Sequence, residues 1–120
     1  MKYVIIGNSI AAVGCIEGIR ALDKKGSVTV IGAENHHVYG RPLISYLLEG
    51  KTDLERMKYR PNDFYAKNNV KTLLGVTAVG IDREKKVVLT DKNGAVPYDK
   101  LLIATGARPF VPRIPNLDKY

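Results

Sequence analysis

Short apolar runs alternate with a helix-like pattern at the start of the chain. Residues 2–6 read KYVII and residues 27–31 read SVTVI, and both are rich in β-branched side chains. Between them, apolar residues recur at helical spacing over residues 10–22, and Gly26 with two preceding lysines is a typical helix stop. Apolar strands on either side of a helix predict a β-α-β unit of about 30 residues, with parallel strands buried on both faces.

Weaker patterns follow a loop over residues 32–42. Pro42 suits the first turn of a short helix, and Gly50 is a suitable stop. The predicted elements are, in order, a helix over residues 42–48, a helical turn within 52–59, a helix of a few turns over 61–69, and a short strand over 70–74.

The periodicity changes after residue 74. Residues 75–82, 86–90 and 95–98 predict a three-stranded antiparallel meander, with Asn93-Gly94 as a strong hairpin signal. Residues 100–106, KLLIATG, predict one more buried strand ending in Thr-Gly. Three prolines, Pro109, Pro112 and Pro115, then predict an extended tail, as if the chain were leaving for a further domain or came from a shortened reading frame.

Composition narrows the class of protein. The 120 residues are 45% hydrophobic and 26% charged, which suits one domain with a real core. No apolar run approaches the roughly 20 residues that span a bilayer, so we predict no membrane segment. The formal net charge is +7, but the basic residues are scattered. An anionic ligand or an acidic partner is therefore favoured over nucleic acid.

Few side chains suggest catalysis or metal binding. The single cysteine, Cys15, excludes an internal disulfide and fits the cytoplasm, and its place in the first helix favours simple packing. Adjacent histidines, His36 and His37, rarely bind one metal ion, so we expect no metal site. No residue is predicted to be an acid or a base.

The turn after the first strand carries the first functional signal. Gly7, Ser9 and Ala12 occupy the key positions of the dinucleotide pattern G-x-G-x-x-G/A, with serine in place of the second glycine. A strand, a tight turn and a helix start favour pyrophosphate binding, although glycine and alanine can also serve packing alone. Glu34 follows the second strand and suits a ribose, the alternative being a solvated loop acid.

Four segments together resemble a known family. VIIGNSIAAVG, VTVIGAEN, YGRPLISYLLEG and LLIATGARPFVPRIPN are similar to the N-terminal part of the FAD-dependent pyridine-nucleotide-disulfide oxidoreductases. The branch that they resemble includes NADH oxidases, the flavin part of nitrite reductases, and rubredoxin or ferredoxin reductases. The resemblance implies a Rossmann-like α/β FAD-binding domain with a parallel central sheet and a three-stranded antiparallel meander. Residues 1–108 would be its incomplete N-terminal portion, and residues 109–120 an exit towards an NAD(P)H-binding domain.

The resemblance also implies which residues bind FAD. The turn and the helix start would hold the pyrophosphate, the acid after the second strand the ribose, and the R-P element would cover the cofactor. The first meander strand would meet adenine through its backbone, and the A-T-G turn would return towards the pyrophosphate. These positions are Gly7, Asn8, Ser9, Ala11, Ala12, Glu34, Asn35, Arg41, Pro42, Thr77, Ala78, Ala104, Thr105, Gly106 and Arg108.

The implied activity is electron transfer from NAD(P)H through flavin to an acceptor. Residues 42–48 contain no cysteine, so the electron-transfer members fit better than those with a redox cysteine. The implied acceptors are oxygen, a rubredoxin- or ferredoxin-like carrier, or a nitrite-reductase-type centre, and the positive charge suits an acidic carrier. A homodimer is compatible with the resemblance. The alternative is a non-catalytic nucleotide-binding module or a truncated remnant, and the 120 residues alone are expected to be inactive.

Overall fold

The predicted β-α-β unit opens the fold. A computed structural model describes residues 1–108 and 110–117, and an α-helix over residues 10–22 joins two parallel strands there, as predicted. The strands of the described chain are β1 (Lys2–Ile6), β2 (Ser27–Gly32), β3 (Val70–Leu74), β4 (Ala78–Asp82), β5 (Val87–Thr90), β6 (Ala95–Pro97) and β7 (Lys100–Ile103). The α-helices of the described chain are α1 (Ile10–Leu22), α2 (Ile44–Leu48) and α3 (Phe64–Lys67).

Two sheets form the scaffold, which confirms the predicted architecture. The parallel sheet has the order β3-β2-β1-β7, and the antiparallel meander has the order β4-β5-β6. Strand β1 is central because Ile5 pairs with Val30 on one side and with Leu102 on the other. The hairpin between β5 and β6 turns at Gly94, whose φ of +63° suits glycine.

Strand β1 is buried on both faces, as its continuous apolar pattern predicts. Ile5 packs into a cluster with Val13 and Ile16 of α1, while Val4 and Ile6 pack into a second cluster that includes Val88 of the meander. Helix α1 and the meander therefore cover opposite faces of the parallel sheet.

Several predicted elements need correction. Ile10 and Leu22, the ends of the predicted apolar stripe on α1, are 62% and 93% exposed. By contrast, the helical turn predicted within residues 52–59 is present, since Met57 N–H bonds to the Asp53 carbonyl four residues earlier. Strand β7 is only half-buried, because it is the edge of the described sheet and Ile103 is 61% exposed.

The two short helices differ from their predicted bounds. Residues Arg41–Leu43 form a 3₁₀ turn before α2 begins. The helix predicted over 61–69 shrinks to one turn, α3. Asn68 donates its side-chain amide to the Phe64 carbonyl at 2.8 Å, and Asn69 adopts a φ of +51°, so the helix cannot continue.

Residues 110–117 are not fully extended. Ile114 N–H bonds to the Pro112 carbonyl, and Leu117 N–H bonds to the Ile114 carbonyl. Pro109 lies outside the described residues. No helix within the described chain is long and apolar enough to cross a membrane.

Candidate dinucleotide-binding site

The candidate site lies where the parallel strands end. Strand β1 has β2 on one side and β7 on the other, so the chain order reverses beside β1. Ligands of open parallel sheets bind at the carboxyl ends of the strands at such a switch point. Gly7 follows β1, Gly32 ends β2, and Ala104 follows β7. The predicted glycine turn and A-T-G turn therefore meet at the carboxyl ends of these strands.

Gly7 is a position that only glycine fits. Its φ is +113°, and a Cβ there would lie 2.1 Å from the carbonyl oxygen of Ala104. The backbone around it is fixed, since Gly7 N–H bonds to the Ile31 carbonyl at 2.8 Å and Ala104 N–H to the Ile6 carbonyl at 2.7 Å. The turn thus brings backbone against backbone without a side chain between them.

The start of α1 is open to an anion. Ser9 is the N-cap residue, but its hydroxyl makes no capping hydrogen bond, and the first turn holds no acidic residue. The Ser9 carbonyl accepts the first helical bond, from Val13 N–H at 3.1 Å. The N–H groups of residues 10–12 precede that bond and have no partner within the helix. With the positive end of the helix dipole, they fit a pyrophosphate, and the Ser9 hydroxyl, which does not cap the helix, can add a donor.

Glu34 is held in a network of three side chains. Arg41 Nη2 donates to Glu34 Oε1 at 2.7 Å, and the Tyr39 hydroxyl donates to Glu34 Oε2 at 2.8 Å. Arg41 Nη1 also donates to the Tyr39 oxygen at 3.0 Å. The bonds from Arg41 and then Tyr39 lower the pKa of Glu34, so the carboxylate stays ionised. It has about four acceptor positions, and two remain for vicinal ribose hydroxyls.

The remaining predicted site residues lie in two places. Near Glu34, Asn35 packs beside Gly75, and Pro42 sits exposed in the 3₁₀ turn. The Thr77 N–H donates to an Asp91 carboxylate oxygen, and the Thr77 carbonyl accepts from the Asp91 N–H. Both backbone groups of Thr77 are therefore already bonded, and adenine could bond only as a second partner of the Thr77 carbonyl.

The second group lies beyond β7. Thr105, Gly106 and Arg108 are exposed, and Gly106 has a φ of +71°. Within the described chain, no hydrogen bond joins Arg108 to another predicted site residue. Ala78, by contrast, is paired in the meander opposite Thr90.

Two tyrosines of the site were not predicted. Tyr39 bonds to Glu34, and Tyr65 bonds to Asn8 in the glycine turn. Spacing gave no signal for Tyr65, because its contact depends on how α3 folds back towards the turn.

A cavity of about 250 Å³ adjoins Glu34 and is lined mainly by apolar side chains of α2 and the following turn. His37 lines it too, and its Nδ1 lies 3.0 Å from the Val38 carbonyl, while its Nε2 is buried without a partner among the described residues. No group of three metal-binding side chains occurs within the described chain. Cys15 packs against the core, and burial raises the pKa of its thiol, which disfavours the thiolate.

A parallel sheet in this strand order, with a glycine turn between its first strand and the following helix, defines a Rossmann-like fold. The chain belongs to the pyridine nucleotide-disulphide oxidoreductase family, whose profile matches residues 1–120.

Two relatives are oxidoreductases whose names include a nicotinamide cofactor. The chain is 39% identical over 119 residues to "Nitrite reductase [NAD(P)H]" of Bacillus subtilis, covering 98% of the chain and 15% of that protein. NADH:rubredoxin oxidoreductase of Clostridium acetobutylicum superposes with a TM-score of 0.82 at 28% identity, over 98% of this chain and 30% of that one.

A third relative is a reductase in a covalent complex with another protein. Putidaredoxin reductase, in a covalent complex with putidaredoxin, superposes with a TM-score of 0.83 at 31% identity, over 93% of this chain and 27% of that one. The chain therefore spans less than a third of the length of each of these relatives.

Proposed function

We propose that residues 1–120 hold the ADP half of FAD in an NAD(P)H-dependent flavoprotein oxidoreductase. One observation carries the proposal. Gly7 packed against Ala104, the uncapped start of α1, and the Glu34 carboxylate bound by Arg41 all lie at the carboxyl ends of the parallel strands. Each element suits one part of the ligand: close backbone approach for the pyrophosphate, N–H groups for its charge, and acceptors for the ribose.

The proposed contacts follow from this arrangement. Backbone N–H groups of residues 8–12 and the Ser9 hydroxyl receive the pyrophosphate, and Glu34 accepts from the ribose hydroxyls. Asn35 and the Thr77-Ala78 backbone meet the adenine side. Arg41 and Pro42 cover the cofactor, while residues 104–106 and Arg108 approach it from beyond β7.

When bound, the flavin accepts a hydride from NAD(P)H and passes electrons to an acceptor. The residues of this chain supply binding and charge, and none is assigned as an acid or a base. Cys15 has no place in the proposal, since it is part of the packed side of α1.

Spectroscopy tests the proposal. The complete protein, meaning the natural chain that carries residues 1–120, is expected to purify yellow, and NADH or NADPH under anaerobic conditions is expected to bleach the flavin band. A complete protein that holds no flavin and cannot be reconstituted with FAD would contradict it.

The proposed acceptor is an acidic electron carrier. The formal net charge of +7 favours encounter with an acidic surface, and two of the relatives are named for small redox carriers. Carrier reduction is then expected to be fastest at low salt and to slow as salt screens the charges. A rate that salt leaves unchanged would point instead to oxygen or to a nitrite-reductase-type centre.

The isolated 120 residues provide a second test. We expect residues 1–120 to bind ADP but not to catalyse NADH oxidation, because the chain spans less than a third of its relatives. Turnover by the isolated residues would contradict this part of the proposal. A cytoplasmic location and a homodimer belong to the same proposal, and cell fractionation and light scattering test them.

A further inference from the structure

A tyrosine of α3 fastens the glycine turn. The Tyr65 hydroxyl lies 2.5 Å from Oδ1 of Asn8, the middle residue of the turn between β1 and α1. Since Oδ1 can only accept, Tyr65 donates this bond. The same hydroxyl oxygen accepts the Val38 N–H at 3.3 Å, so it joins the turn to the loop after β2.

The other atoms of Asn8 are also engaged. Its side-chain amide donates to the His36 carbonyl at 3.3 Å. Its Cβ lies 3.2 Å from the position that a Cβ on Gly32 would occupy, so the side chain passes close over the end of β2. Contacts on three sides therefore fix the orientation of Asn8.

Tyr65 is itself a rigid anchor. Its ring packs against the core cluster on the α1 face of the sheet, with edge contacts to Phe64 at 5.5 Å and His37 at 5.0 Å between ring centroids. Burial raises the pKa of its hydroxyl, which keeps the donated proton in place. If the Asn8 side chain rotated away, the Tyr65 hydroxyl would lose the oxygen to which it donates.

We propose that Tyr65 is a positioning residue for pyrophosphate binding. It acts through Asn8, and keeps the turn and the start of α1 in the conformation that receives the two phosphates. A turn that is already ordered loses less conformational entropy when the ligand binds. All molecules then have the turn in the conformation that binds the phosphates. This inference rests on the proposed function of the site.

Tyr65→Phe tests the role in the flavin-free complete protein. The change keeps the ring and its packing but removes the hydroxyl. A lost neutral hydrogen bond predicts about three- to tenfold weaker ADP binding. Adenosine lacks the phosphates, so its affinity is expected to stay at the wild-type value. Tyr59→Phe is the matched control, because Tyr59 packs in the same cluster and its hydroxyl has no hydrogen bond among the described residues.

A double-mutant cycle with Asn8→Ala shows whether the effect passes through Asn8. Asn8→Ala alone is expected to weaken ADP by a similar factor, and Tyr65→Phe is expected to add nothing in that background. Equal losses for ADP and adenosine, a full extra loss in the double variant, or wild-type ADP affinity in either single variant would overturn the role. If wild-type protein binds neither ADP nor FAD, the proposed function fails instead.

Discussion

At the scale of single residues, the backbone at Gly7 decides whether the turn can form. Its φ of +113° is unfavourable for other residues, and the Ala104 carbonyl occupies the space of a side chain. The glycine thus serves two purposes, the tight turn after β1 and the seating of β7 beside it.

Gly7→Ala is expected to destabilise the protein by about 2–4 kcal/mol, from backbone strain and the clash with Ala104. Gly14→Ala is the matched control, because a Cβ there meets nothing within 4 Å and the position is helical. It is expected to stabilise by about 0.5–1 kcal/mol. Urea denaturation of both variants measures the difference, and similar midpoints would refute this view of the turn.

In the proposed site, Glu34 is the residue that accepts hydrogen bonds from the ribose. Glu34→Gln replaces one charged acceptor with an amide donor, and the loss of a charged hydrogen bond predicts about ten- to hundredfold weaker adenosine and ADP binding. Glu17→Gln serves as the control, since Glu17, on α1, pairs with Arg60 at 3.0 Å and lies outside the site. Titration calorimetry that finds wild-type affinities for Glu34→Gln would remove Glu34 from the site.

Residue patterns predicted this part of the site unevenly. Motif spacing was enough to propose Gly7, Ser9, Ala12 and Glu34, because the turn and the acid follow strands that are close in sequence. The bond from Tyr39 to Glu34 was not, since a tyrosine five positions after an acid in a loop has no characteristic spacing.

At the scale of elements, α1 is the part of the chain with the strongest local signals. Its end is closed by Asp23, whose carboxylate accepts N–H bonds from Gly26 at 2.8 Å and Lys25 at 3.0 Å and the Tyr3 hydroxyl at 2.9 Å. These bonds lower the pKa of Asp23 from 3.8 to about 2, and the bond from the Gly26 N–H has the largest effect. The turn into β2 therefore depends on an ionised carboxylate.

The pH dependence of stability tests this turn. Because the folded pKa of Asp23 is below the unfolded one, its contribution is complete above pH of about 4 and is lost as the pH falls towards about 2. Asp23→Asn is expected to be less stable than wild type at pH 7, and the difference is expected to shrink through this window. A difference that stays constant from pH 7 to pH 2 would contradict the assignment.

The predicted bounds were most accurate where one pattern ran without interruption. Helix α1 has the predicted ends, whereas the helix predicted over 61–69 is a single turn. Asparagine favours the left-handed conformation that ends a helix, so Asn68 and Asn69 carried that signal in the sequence. The exposure of β7 could not be predicted from its composition, because an apolar strand is buried only if a neighbour covers it.

At the scale of the whole molecule, the site depends on contacts between distant segments. Ala104 reaches Gly7 only because β7 adds to the sheet beside β1, and Tyr65 reaches Asn8 only through the position of α3. The local periodicity of the sequence contains no information on these long-range contacts. The resemblance to flavoprotein reductases implied the first of them, and neither pattern nor resemblance indicated the second.

A structure of the complete protein with FAD is the most direct measurement. It is expected to show the pyrophosphate against the N–H groups of residues 8–12, the ribose hydroxyls on Glu34, and Asn8 still bonded to Tyr65. A flavin whose phosphates lie away from the start of α1, or whose ribose does not contact Glu34, would contradict the proposed site.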